Sequence, residues 1–270
     1  HAGHHHRHHG RHDHRGPGLN SHICWATASK RIVEASENRA ISEFGLRRSQ
    51  TPYAGLDASK CAIMAGCSST SNVLAGKMYK VPVSGTIAHS WITSFDSEYE
   101  AFLAYAKAYP NACTLLVDTY DVLTSGLPNA IKVAKDFLIP NGYKLQAIRI
   151  DSGDLAKLSK EARKLLDEEG LADTKICVSN GLDEKTIRSL LNQEAPIDFF
   201  GVGDNIVLPS EAKVGVVYKN VALQKNGSKE FISKIKASND EAKAITPGYK
   251  KVYRFYNKEN NLALGDASIP

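Results

Sequence analysis

The chain reads as an α/β protein with parallel strands, arranged as an open sheet or a barrel. Three observations carry this. Short apolar runs rich in β-branched residues alternate with longer stretches of helical period. The runs are near-continuously apolar, as strands covered on both faces are. Their centres at Val83, Leu115, Ile148 and Cys177 lie about thirty residues apart, which is room for one strand, one helix and two short loops. No internal repeat accompanies this period, so it reflects topology and not a solenoid.

The expected strands are residues 41–45, 81–85, 113–117, 145–150, 175–178 and 197–201. The clearest helix runs from 154 to 169, where Leu155, Leu158, Ala162, Leu165 and Leu166 fall on one face. Asp154 suits its N-cap and Gly170 its end. A second helix is expected from Val73 to Met78 with the hydroxyls of Thr70 and Ser71 at its start. A third follows Leu182 and Asp183 through Ile187, Leu190 and Leu191. From Lys213 onward the pattern changes to alternating strands, 214–223 and 251–256, around a polar connection rich in Lys and Asn. The expected division is therefore a tail at 1–18, an α/β core at 19–212 and a partial β-rich region at 213–270.

Composition sets the outer limits. With 42% apolar and 23% charged residues among 270, the chain is neither disordered by composition nor built around a membrane-length apolar run. The net charge of +5 divides unevenly: Arg7, Arg11 and Arg15 against Asp13 put +2 on the opening segment and leave +3 for the rest. That is no nucleic-acid footprint, and neither a nucleic-acid nor a membrane partner is expected. Eight of the ten histidines crowd the first fourteen residues, HAGHHHRHHGRHDH. Clustered imidazoles can chelate a divalent metal, but the favoured reading is an added or disordered tail; the tract lacks the apolar segment of a secretory signal and is set apart from the fold. Cys24, Cys61, Cys67, Cys113 and Cys177 are odd in number, widely spaced and without a CxxC, which suits free thiols in a reducing cytoplasm.

The unusual polar clusters each follow an expected strand. Arg47 and Arg48 follow the first, and Thr86 to Ser90, with His89, follow the second. Asp118 to Asp121 follow the third, and Arg149 with Asp151 to Asp154 the fourth. Ser179 to Asp183 follow the fifth, and Gly201 to Asp204 the sixth. In a parallel sheet or barrel these ends share one face, where active sites sit. Any one cluster could be only a strand-to-helix turn, since Asp, Ser, Asn and Gly supply caps and permissive angles; six on one face argue for a shared site.

The chemistry these residues support is anion handling. Gly201 and Gly203 let backbone N–H groups approach a phosphate, and the Asn180–Gly181 turn precedes a helix. Arg47 and Arg149 add cations able to grip phosphate or carboxylate. Asp118 and Asp151 suit a Mg2+ ion that takes one or two carboxylates plus substrate phosphates. The absence of GxxxxGK[ST] excludes a P-loop nucleotide site.

At these residues the sequence resembles the nicotinate phosphoribosyltransferase family. The matching stretches are EFGLRRSQ (43–50), TSNVLAGKMYKVPVSGTIAHSWITSF (70–95), LLVDTYDVLTSGLPNAI (115–131), IRIDSGDLAKLSKEARKLLDEEG (148–170) and IDFFGVG (197–203), in the family's order and spacing. The resemblance implies an irregular TIM-like α/β barrel of the type II phosphoribosyltransferase kind. The implied reaction joins nicotinate to phosphoribosyl pyrophosphate, releasing nicotinate mononucleotide and pyrophosphate, coupled to ATP, with Mg2+ and a homodimer. It also implies roles. His89 is the histidine that ATP phosphorylates, and Thr86 and Arg149 bind nicotinate. Phe44 stacks on the pyridine ring, and Arg47 contacts the substrate phosphate or ring. Asp118 and Asp151 serve Mg2+, pyrophosphate and the ribose hydroxyls, beside Ser90, Ser152 and Gly153. Ser179, Asn180, Gly181, Gly201, Gly203 and Asp204 line the 5′-phosphate loops.

Three residues depart from the family pattern. Asp204 replaces a common Thr after GVG, and Ser68 and Tyr53 stand where relatives usually carry Asp. Members of the family are longer, so the chain is expected to lack an N-terminal domain and part of the C-terminal region. Two other readings stand beside the enzyme: a nicotinamide phosphoribosyltransferase, which would place an acid near the ring where Ser68 is found, and a shortened homologue without catalysis.

Overall fold

A computed structural model describes residues 19–208, 220–234, 248–259 and 263–269. The His-rich tail and residues 214–219 of the expected 214–223 strand lie outside the described residues. In chain order the described elements begin with α1 (Leu19–Ala35), β1 (Ala40–Glu43), α2 (Pro52–Met64), β2 (Ser69–Thr70), α3 (Val73–Tyr79), α4 (His89–Ile92), α5 (Glu98–Ala108) and β3 (Thr114–Leu116). They continue with α6 (Leu127–Val133), β4 (Ala147–Ile150), α7 (Leu155–Glu168), β5 (Lys175–Ser179), α8 (Glu184–Asn192), β6 (Phe199–Val202) and α9 (Asp204–Val207). Four strands follow: β7 (Ala222–Gln224), β8 (Phe231–Ser233), β9 (Lys251–Tyr256) and β10 (Ala263–Ile269).

The first six strands form one parallel sheet in the order β2-β1-β6-β5-β4-β3, curled as half of a barrel. Ile41, Leu115, Ile148, Val178 and Phe200 in these strands are at most 1% exposed. Their continuous apolarity matches a sheet covered on both faces. The last four strands pair antiparallel as two separate two-stranded ladders, β7 with β8 and β9 with β10.

Local chemistry explains the helices. Asp154 caps α7 by accepting from Lys157 N at 3.0 Å, and Gly170, at φ +76°, takes the left-handed position past its end. Leu155, Ala162 and Leu166 are buried, with Leu158 and Leu165 packed beside them. Asp183 caps α8 through Thr186 N at 2.7 Å.

Two expectations are corrected. Residues 81–85 do not form a strand of the sheet; the second strand is Ser69–Thr70, and Val83 forms only an isolated parallel bridge with Thr70. Pro82 has no N–H to donate, so the segment gives Thr70 N a carbonyl and takes Thr70 O through Ser84 N, and the ladder goes no further. The cap of α3 is Asn72, whose Oδ1 accepts from Ala75 N at 3.1 Å, and not Thr70 or Ser71. The Thr70 hydroxyl is already committed to the buried Glu43 carboxylate.

Candidate active site at the strand ends

The C-terminal ends of the parallel strands bring residues of the other five expected clusters together with Phe44, which stands just before the Arg47–Arg48 pair. Arg149, on β4 with its side chain 16% exposed, is the hub. Its Nε donates to Ser179 Oγ at 2.8 Å, its Nη1 to Thr86 Oγ1 at 2.7 Å and its Nη2 to Asp151 Oδ1 at 3.0 Å. Ser179 in turn donates to the same Asp151 oxygen. The guanidinium lies over the Phe44 ring at 5.2 Å, a cation–π contact.

A guanidinium has five N–H donors. Three are used among the described residues, which leaves one on Nη1 and one on Nη2 to take a carboxylate.

His89 opens α4, and its two ring nitrogens face different partners. Nδ1 lies 3.0 Å from Thr119 Oγ1, while Nε2 lies 3.7 Å from both Asp118 Oδ1 and Asp151 Oδ2. Two carboxylates before Nε2 favour a proton on that nitrogen. Burial alone would push the Asp151 carboxyl up. The hydrogen bond from His89, the Arg149 charge, the Ser179 hydroxyl and the His89 charge outweigh it and hold Asp151 well below the ordinary carboxylate range. Asp118 is almost fully buried and accepts from Ser152 Oγ.

The glycines have reasons the sequence did not disclose. A Cβ on Gly201 would meet the Phe44 ring at 2.7 Å, and one on Gly203 would lie 3.1 Å from Phe44 O. Both therefore make room for Phe44, whatever they offer a phosphate. Asn180, at φ +101°, Gly181, at +60°, and Gly153, at +83°, occupy left-handed backbone at two loop turns. Asn205 Nδ2 ties the first of these loops to α9, donating to Gly181 O at 3.0 Å and Leu182 O at 2.8 Å.

Other expected residues fall beside the cluster without joining it. Arg47 is exposed and Ser90 half-buried, with no described contact to the hub. Asp204 is half-exposed in the first turn of α9, Ser68 is exposed just before β2, and Tyr53 is exposed at the start of α2.

Several residues were missed. Thr119 sits beside Asp118, and its neighbour's signal could have flagged it. Arg48 has Nε and Nη1 buried with no hydrogen-bond partner among the described residues, a charged edge that an anion would satisfy. Glu43, fully buried, accepts from Gly45 N, Ser59 Oγ and Thr70 Oγ1, and so ties the turn after Phe44 to α2 and β2. Among the described residues no group of three His, Cys, Asp or Glu side chains is placed to hold a metal.

Fold and site together define an α/β-barrel protein with a cationic and carboxylate cluster at the carboxyl ends of its strands. Residues 39–256 match the model of the Nicotinate phosphoribosyltransferase (NAPRTase) family. The chain is 45% identical over 249 residues to a nicotinate phosphoribosyltransferase of Bacillus subtilis, covering 92% of this chain and 50% of that one. It is 41% identical over 248 residues to one of Mycobacterium tuberculosis, covering 91% and 50%. The crystal structure of human nicotinic acid phosphoribosyltransferase superposes with a TM-score of 0.64 at 28% identity, covering 92% of this chain and 55% of that one. The chain belongs to the nicotinate phosphoribosyltransferase family. It spans about half the length of the curated relatives it matches.

Proposed function

We propose that this protein forms nicotinate mononucleotide and pyrophosphate from nicotinate and phosphoribosyl pyrophosphate, coupled to ATP hydrolysis, in salvage of NAD. The observation that carries the reading is the Arg149 hub, with one N–H on Nη1 and one on Nη2 unused among the described residues, beside an aromatic ring. A planar pyridine carboxylate fits both parts: the ring stacks on Phe44 and the carboxylate takes the fork. A neutral amide gains less from a cation, which favours nicotinate over nicotinamide. Thr86 fixes the guanidinium plane.

His89 is the nucleophile toward ATP. As the unprotonated ring nitrogen forms its bond to the terminal phosphorus and the bond to the departing ADP breaks, the Asp118 and Asp151 carboxylates stabilise the proton held on Nε2. Asp118 and Asp151 also fit Mg2+, since this ion takes one or two carboxylates and completes its shell with water and substrate phosphates. When bound, the ion would neutralise the departing pyrophosphate. Ser152 and Gly153, the Ser179–Gly181 loop, and Gly201, Gly203 and Asp204 border the ribose and 5′-phosphate, and Arg47 and Arg48 add positive charge.

The remaining parts of the reading are organisational. A cytoplasmic, reducing setting fits five free cysteines, four of them buried. No described helix is long and apolar enough to cross a membrane. A homodimer is supported by the exposed apolar strip of Val73, Leu74 and Met78 on α3 with Val83 beside it. The boundaries 1–18, 19–212 and 213–270 remain the proposed domain division.

Titration calorimetry tests the ligand assignment. Nicotinate is expected to bind at least about tenfold more tightly than nicotinamide, as one charge-assisted fork is worth roughly 1.5–3 kcal/mol. Equal affinities, or no binding of either, would overturn the assignment.

A further inference from the structure

The loop after β3 carries two residues of the cluster, Asp118 and Thr119, and its support comes from another helix. Asp121 turns the chain by accepting from Leu123 N, Thr124 N and Thr124 Oγ1 at 3.1, 2.8 and 2.7 Å, starting a π-helical turn over Val122–Gly126. π-Helical turns are rare and gather at functional sites. Gly126 closes this one directly on the strand end: a Cβ there would lie 1.8 Å from Val117 O, so no side chain fits. The turn thus rests on the peptide that precedes Asp118.

What presses it there is Glu98, in the first turn of α5 and 4% exposed. Its Oε2 accepts from Ser125 Oγ at 2.6 Å and from Asn129 Nδ2 at 3.2 Å, residues on either side of Gly126. Its Oε1 is buried and has no partner among the described residues. Burial pushes this carboxyl up, the two donors pull it down, and the charge of Asp118 adds to the rise. An acid held at such a desolvation cost, with half its acceptor capacity unused, is a poor choice for stability alone.

We infer that Glu98 is a positioning residue for the reaction: by holding Ser125 and Asn129 it clamps the Val122–Gly126 turn onto Val117 and fixes the Asp118 carboxylate for Mg2+ and phosphoribosyl pyrophosphate. Glu98 is buried behind the turn and acts through Ser125 and Asn129. The inference rests on the phosphoribosyltransferase reading above.

Calorimetric titration of the full chain with phosphoribosyl pyrophosphate in Mg2+, and separately with nicotinate, provides the test, alongside thermal denaturation. Glu98→Ala is expected to weaken phosphoribosyl pyrophosphate binding about 10- to 100-fold, the usual loss when support behind a metal ligand is removed. It should leave nicotinate affinity within about threefold, and Glu98→Gln should recover most of the loss. If Glu98→Ala does not fold, Ser125→Ala and Asn129→Ala remove one bond each and should weaken the same ligand by a smaller factor. A lowered Tm with both affinities unchanged, or equal losses for both ligands, overturns the positioning role. Failure of the unaltered chain to bind phosphoribosyl pyrophosphate in Mg2+ overturns the enzymatic reading itself, and the inference with it.

Discussion

Replacing Arg149 by Ala is expected to raise the dissociation constant for nicotinate about 30- to 1000-fold while that for phosphoribosyl pyrophosphate rises by less than about tenfold. The magnitude follows from cutting one partner out of a buried, hydrogen-bonded charge pair, which costs roughly 2–4 kcal/mol, at about 1.4 kcal/mol per factor of ten. Arg149→Lys should recover little, because an ammonium cannot supply a planar fork. Equal losses for the two ligands would contradict the carboxylate role.

The same substitution has a pH signature. In the intact cluster Asp151 is held below its ordinary range, so its contribution to stability is present above the unfolded carboxylate pKa of about 3.9 and lost as pH falls from there through the folded value. Without the Arg149 charge the depression shrinks. Arg149→Ala should therefore cost stability at neutral pH and cost progressively less below about pH 4. Acid titration of the two proteins by circular dichroism reads this difference.

The second large effect is expected for His89→Ala. Its side chain is 19% exposed and stands at the start of a four-residue helix, so the fold should survive. The cost includes the partner of Thr119, a fully buried hydroxyl, roughly 1–3 kcal/mol when left unsatisfied, and the support His89 gives the Asp151 carboxylate, read as a lowered Tm. The chemistry should change far more: no acid-labile phosphoryl group on the protein after incubation with ATP, and a slowed reaction indifferent to ATP. Phosphoryl incorporation equal to that of the unaltered protein would remove His89 from the reaction.

What the sequence made legible was local. The α7 face, its Asp154 cap and Gly170 end follow from spacing within one element, and the gathering of polar residues at strand ends follows from parallel topology. What it hid was carried by contacts between distant segments. The exchange of residues 81–85 for Ser69–Thr70 in the sheet goes with Pro82 lacking a donor, and the loss of Thr70 as a cap with Glu43 claiming its hydroxyl, neither visible to apolar periodicity. Gly201 suggested phosphate access, whereas its nearest constraint is the Phe44 ring from a strand far away in the chain. Among the cations Arg47 drew attention by its place after the first strand, yet it is Arg48 whose buried guanidinium edge has no acceptor among the described residues. Glu98 carries no signal of its own in the sequence; its place depends on the contact of α5 with Ser125 and Asn129.

The most direct measurement is product formation. The purified protein is incubated with labelled nicotinate, phosphoribosyl pyrophosphate, Mg2+ and ATP, and the nucleotides are separated. The account predicts nicotinate mononucleotide in step with pyrophosphate, formed faster with ATP than without it and in preference to the nucleotide of nicotinamide. No mononucleotide from nicotinate, or a preference for nicotinamide, would contradict it.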